Sequence, residues 1–163
     1  MSDVSARIAA APISWGVCEV PDWGWQYDAD TVLSQMRDLG LAATEFGPDG
    51  FLPEDPAEKA KKLAELGLRA VGGFVPVVLH DPAHDPAPEI ERALEGFIAS
   101  GAGTLVLAAA TGQDGYDGRP VLDETGWSTL LANLDRLAAI AEKQGVRGTL
   151  HPHVGTMVEN ADD

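Results

Sequence analysis

Basic residues are scarce in this chain: 11 Lys and Arg stand against 26 Asp and Glu in 163 residues, a net charge of −15. A surface that negative repels phosphodiester backbones and anionic bilayers, so neither nucleic acid nor membrane is expected as a partner. Cysteine occurs once, at Cys18, which excludes an internal disulfide and any metal knuckle built on paired cysteines. No apolar run approaches the roughly 18 residues of a membrane span, and the sequence does not open on a basic stretch followed by an apolar one. The expected compartment is the cytoplasm. A dinucleotide fingerprint is missing too. The first apolar run is followed by SWGVCEV, without the glycine spacing or the helix that such a motif needs.

What the chain does have is an alternation. RIAAAPIS at 7–14, LAATEF at 41–46, LRAVGGFVPVVL at 68–79, GTLVLAAA at 103–110 and VRGTLHPH at 146–153 read as short strands. Four helical stretches lie between them. The first starts at Asp30, carries Val32, Leu33, Met36 and Leu39 at helical spacing, and stops at Gly40. The second has Pro56 near its start and Gly67 at its end, and the third runs from Pro88 through Ile90, Ala93, Leu94 and Ile98 to Gly101. The fourth begins at Asp123, holds Trp127, Leu130, Leu131, Leu134, Leu137, Ala138 and Ala141 on one stripe, and ends at Gly145. Near-continuously apolar strands separated by helices imply a parallel sheet with right-handed crossovers and both faces covered.

Two architectures fit that alternation. A five-stranded doubly wound sheet would be complete at this length, whereas a (β/α)8 TIM barrel takes about 250 residues. Polar and aromatic residues cluster after every strand: Trp15, Glu45, His80, the 111–119 loop, then His151 and His153. A barrel puts its active site at those strand ends, while a doubly wound sheet concentrates it at one switch point. The expected fold class is therefore α/β, of the (β/α)8 TIM barrel family. Residues 1–163 form a single partial domain, truncated after about five strands and four helices.

Each polar candidate has a chemical and a plain structural reading. Glu45 ends its strand, where a carboxylate either meets substrate hydroxyls or a metal, or caps the following turn. His80 directly follows a strand in LHDPAHDP, but this tract is hydrophilic enough to be a solvated loop. Trp15, Trp23 and Trp25 offer faces on which the C–H side of a sugar can stack, or they pack between loops. His151 and His153 alternate, so they share a face if the strand persists through Pro152. With Glu159 they form a mixed imidazole and carboxylate set of the kind borderline divalent ions accept, or else they are hydrogen-bonded groups lining a pocket. Gly155-Thr156 reads as a turn able to bind an anion or hydroxyl through its backbone N–H groups.

Taken together, APISWG, TEFGPDGFLP and HPHVGTMVE resemble the inosose dehydratases and the sugar phosphate isomerase-epimerase proteins among the xylose isomerase-like TIM barrels. The resemblance covers essentially the whole chain as the N-terminal part of such a barrel. It implies a metal-dependent lyase or isomerase acting on a sugar or cyclic polyol, with dehydration of 2-keto-myo-inositol as the specific activity. The implied cofactor is a divalent metal, Mn²⁺ or Co²⁺, with Mg²⁺ or Zn²⁺ as alternatives. By the same resemblance Glu45 and His153 are the catalytic candidates. Trp15, His80, His151 and Thr156 are then substrate-binding, and Glu159 and His151 are metal ligands. The family carries further ligands on later strands, so these residues alone are expected to show little or no turnover. Self-association or pairing with a complementing C-terminal half follows from the open sheet edges. The alternatives are a non-catalytic half-barrel and a ketose isomerase or epimerase.

Overall fold

The structure, a computed structural model, describes residues 7–20, 23–115 and 118–163. Four strands alternate with four α-helices among the described residues: α1 (Ala29–Asp38), β1 (Ala43–Glu45), α2 (Pro56–Glu65), β2 (Arg69–Val78), α3 (Ala87–Ser100), β3 (Thr104–Ala110), α4 (Glu124–Lys143) and β4 (Arg147–Leu150). The sheet order is β1-β2-β3-β4. The register is parallel where β1 meets β2 and where β3 meets β4. This is the α/β alternation expected of the barrel family. The chain's contacts fall into two compact units, residues 1–74 with 95–103 and residues 75–94 with 104–163, and the boundary passes through β2 and α3.

Helix boundaries follow local chemistry. Asp28, Asp55 and Asp123 each accept a backbone N–H of the first turn, from Thr31, Ala57 with Glu58, and Gly126 respectively. Pro56 sits at the first position of α2, where its missing N–H costs nothing. At the far ends Gly40 and Gly145 take φ of 79° and 77°, the left-handed turn that lets the chain leave the helix.

The first expected strand is different. Of 7–14, only Ala10 pairs, in a parallel bridge to Thr44 with N–H and C=O bonds to Ala43 and Glu45 of 3.0 and 2.9 Å. Pro12 then has no N–H to continue a ladder, and Pro12–Trp15 coil into one turn of 3-10 helix closed by Gly16. The last expected strand is shorter for a related reason. Its ladder continues one step past Leu150, through the His151 N–H on Leu107 O at 2.8 Å, and meets Pro152.

In the first unit the core gathers Val32, Leu33 and Met36 from α1, Leu63 from α2, and the rings of Phe46 and Phe97. Those rings meet edge to face at 4.9 Å and 87°, and the ammonium of Lys59 lies 5.0 Å above Phe46. Burial holds the Lys59 ammonium below its ordinary range, against the opposing pull of Asp49 and Glu54. Gly73 of β2 runs beneath both rings: a Cβ there would stand 2.8 Å from Phe46 and 3.1 Å from Phe97. In the second unit Leu130, Leu137 and Ala141 of α4 are buried, as are Leu105, Leu107, Ala108 and Ala109 of β3. Gly148 of β4 admits the backbone of α4, since an added Cβ would lie 3.1 Å from Ala138 Cα.

Candidate functional site

In the first unit Glu45 closes β1, half-buried, at a register shift. Thr44 pairs with Ala70 but Glu45 with Gly72, so β2 carries an extra residue opposite this point. Such irregularities re-aim a side chain at a strand end. No described residue bonds the Glu45 carboxylate, whereas the Trp15 indole N–H is taken by Gln35 Oε1 of α1 at 2.9 Å. Trp15 keeps a ring face but no donor. Trp23 and Trp25 are 67% and 80% exposed and so do not plug a core.

The second unit holds His80, His151, His153, Thr156 and Glu159. The segment after β4 folds back on itself. His153 N–H bonds Val158 O at 3.0 Å, Thr156 N–H bonds His153 O at 3.1 Å, and Met157 N–H reaches Ala109 O of β3 at 2.7 Å. Buried Thr156 stands in the middle, its Oγ1 2.8 Å from the carbonyls of both His153 and Val158. Its hydroxyl thus holds the turn together. The Gly155 N–H is likewise spent, donated to Glu159 Oε1 at 2.6 Å.

His151 and His153 do end up side by side, with ring centroids 5.7 Å apart and planes at 42°. A turn, rather than a continuing strand, brings them there. The His153 Nδ1 lies 2.7 Å from Val154 O. A carbonyl only accepts, so Nδ1 carries the proton and Nε2 is the basic nitrogen of the neutral ring.

Glu159 suits a cation poorly. One of its oxygens receives the Gly155 N–H, and the other lies 3.9 Å from the Arg119 guanidinium. Among the described residues no group of three His, Cys, Asp or Glu side chains is placed to hold a metal ion. The donors of this cluster therefore reach two imidazoles, short of the three protein ligands of a catalytic zinc site, and do not make a metal site by themselves.

Arg119 was not legible as a site residue. It lies in the loop after β3 and donates to Asp163 Oδ2 at 2.8 Å, and Asp163 accepts the N–H groups of Glu159 and Asn160. The guanidinium, with those two N–H groups, holds the Asp163 carboxyl below its ordinary range. A bond across 44 positions leaves no local signal. Asn133 did leave one, as a polar residue on the buried side of α4. It donates to Leu79 O at 2.8 Å, next to His80. Among the described residues the buried His80 Nδ1 has no hydrogen-bond partner. A cavity of about 780 Å³ opens between the loop that follows His80 and α4, lined by Asp81, His84, Asp85, Ser128 and Arg136 among others. The His151–His153 pair is not part of its lining.

No family model matches the chain. An inosose dehydratase of Geobacillus kaustophilus (strain HTA426) is 30% identical over 172 residues, covering 96% of this chain and 54% of the relative. The chain spans about half the length of the curated relatives it matches. Among solved structures, the IolI protein with a bound zinc atom superposes with a TM-score of 0.68 at 15% identity, over 94% of this chain and 55% of that one. A xylose isomerase-like TIM barrel protein of Mycobacterium smegmatis in complex with magnesium gives 0.60 at 19% identity, over 95% and 57%. At such identities the likeness is one of fold.

Proposed function

Starting from a chain that carries the fold of the xylose isomerase-like TIM barrels and is related to the inosose dehydratases, we propose that it serves lyase- or isomerase-type proton transfer on a sugar or cyclic polyol. Loss of water from 2-keto-myo-inositol is the specific reaction we favour. The observation that carries this reading is the hydrogen bond from His153 Nδ1 to Val154 O, which makes Nε2 the basic atom, beside the ring of His151.

The chemistry asks for little more at the first step. A ketone acidifies its α C–H, a base at hydrogen-bond distance removes that proton, and an acid then helps the β-hydroxyl to leave. His153 Nε2 is the proposed base, and His151 offers a second imidazole for a substrate hydroxyl. Within the second unit His80 is proposed to bind a hydroxyl, whereas Glu45 and Trp15 belong to the first unit. Thr156 and Glu159, committed to internal bonds, are proposed to shape the turn that holds the two histidines. The divalent cations in the two fold neighbours would polarise a carbonyl. In this chain such an ion would need donors beyond the His151–His153 pair.

The test is binding followed on the histidines themselves. Adding 2-keto-myo-inositol to the chain is expected to shift the ring signals of His151 and His153, and His153→Gln is expected to weaken binding at least several-fold. Unmoved ring signals at saturating ligand would overturn the proposal and favour a non-catalytic role for this turn.

A further inference from the structure

The loop joining β2 to α3, residues 79–86, is fastened at both ends to α4. At its start Asn133 Nδ2 donates to the carbonyl of Leu79 at 2.8 Å, and both residues are buried. At its end Arg136 Nη2 donates to Asp85 Oδ1 at 2.6 Å. The same nitrogen lies 3.1 Å from Asn133 Oδ1, so the two anchors are joined. Asp85 also accepts the Ala87 N–H at 3.1 Å, where α3 begins. Asn133 and Arg136 are three residues apart and therefore neighbours on one helix face.

Between the anchors the loop has its own turn. Asp81 accepts the Ala83 N–H on its side chain at 2.8 Å and the His84 N–H on its carbonyl at 3.1 Å. The His84 ring lies 2.8 Å from Glu89 Oε1 on α3. The residue next to the Leu79 anchor is His80, whose buried Nδ1 has no partner among the described residues. A buried amide is unfavourable unless its donor and acceptor are both used, and here both are. An apolar residue could fill the same space, but only the amide fixes the carbonyl from which the His80 backbone departs.

We infer that Asn133 and Arg136 are positioning residues for His80, acting through the two ends of its loop. The significance for catalysis rests on His80 facing a polyol as proposed above, but the clamp itself is testable without substrate. It reaches the ring through the backbone on either side of it.

The experiment compares the 163-residue chain with Arg136→Ala, Arg136→Lys and Asn133→Ala. It follows amide hydrogen exchange, the ring ¹⁵N shifts of His80 and the thermal melt. In Arg136→Ala, exchange at Ala83, His84 and Ala87 is expected to rise about tenfold, the scale of one lost charge-assisted bond. The His80 nitrogens should shift, while amides of β3 and the middle of α4 keep their protection. Arg136→Lys should recover part of the loop protection, since an ammonium can reach one of the two acceptors. Asn133→Ala should move the His80 nitrogens further. If that variant does not fold, the two Arg136 variants decide alone. Unchanged His80 nitrogens in Arg136→Ala would overturn the inference, as would a uniform rise in exchange across the second unit. The response of the wild-type His80 to 2-keto-myo-inositol is a separate readout. Its absence would remove His80 from the proposed substrate contacts and leave the clamp standing.

Discussion

At the scale of single residues, the chemistry rests on which polar atoms are already engaged. Glu159 has the residue type of a metal ligand, but its carboxylate is held by the Gly155 N–H and faces Arg119. Glu159→Gln keeps an acceptor for that N–H, so the variant is expected to fold with near-normal stability and to change Mn²⁺ affinity little. Glu159→Ala leaves the buried Gly155 N–H unpaired and is expected to cost about 1–3 kcal/mol in urea denaturation. A large loss of metal affinity in the Gln variant would instead make the carboxylate a ligand. Gly73 is a second such position. Gly73→Ala pushes a methyl against Phe46 and Phe97 and should lower stability by about 1–3 kcal/mol. An unchanged denaturation midpoint would show that the rings yield freely. The sequence offered His151, His153 and Glu159 as a cluster because their types are local. It could not offer Arg119, whose partner lies 44 positions away, and the place of Asn133 on the apolar stripe of α4 marked a buried amide without naming its partner 54 positions away.

At the scale of elements, helices were the legible part. Their starts and stops are set within a few residues, by Asp28, Asp55 and Asp123 at one end and glycines at the other. Strands were less so, because a ladder depends on a partner elsewhere in the chain and fails wherever a proline removes a donor. Hence 7–14 shrank to one bridge at Ala10, and the turn of 151–159 replaced an extended run. Two aspartates that accept N–H groups at helix starts also give the elements a pH dependence. The Asp28 carboxyl is held low by the backbone N–H and hydroxyl of Thr31, and that of Asp85 by the Ala87 N–H and then Arg136. Each is depressed on folding from an ordinary value of 3.8. Their contribution is therefore fully present above that value and is lost as pH falls through the lower folded one. Amide exchange at Thr31 and Ala87, corrected for intrinsic rates, should stay flat from pH 6 to about 4 and accelerate below it. Acceleration already near neutral pH would contradict these assignments.

At the scale of the molecule, the alternation of strand and helix was readable from the period of the apolar residues. The parallel pairing of the strands followed from it. Among the described strands β4 lies at the end of the sheet order, with Leu150 and, just after the strand, Val154 exposed, and a strand at the end of a sheet can pair with another. The melting temperature of the chain is therefore expected to rise with concentration, and a concentration-independent melt would argue for a stable monomer.

The role proposed for His153 Nε2 is to move a proton on a keto-polyol. Exchange of the α C–H of 2-keto-myo-inositol in D₂O, followed by ¹H NMR, reads that step directly and does not depend on net loss of water. Exchange above the buffer rate is expected with the wild-type chain, and a return to the buffer rate in His153→Gln. Equal rates in the wild type, the variant and buffer would contradict that role.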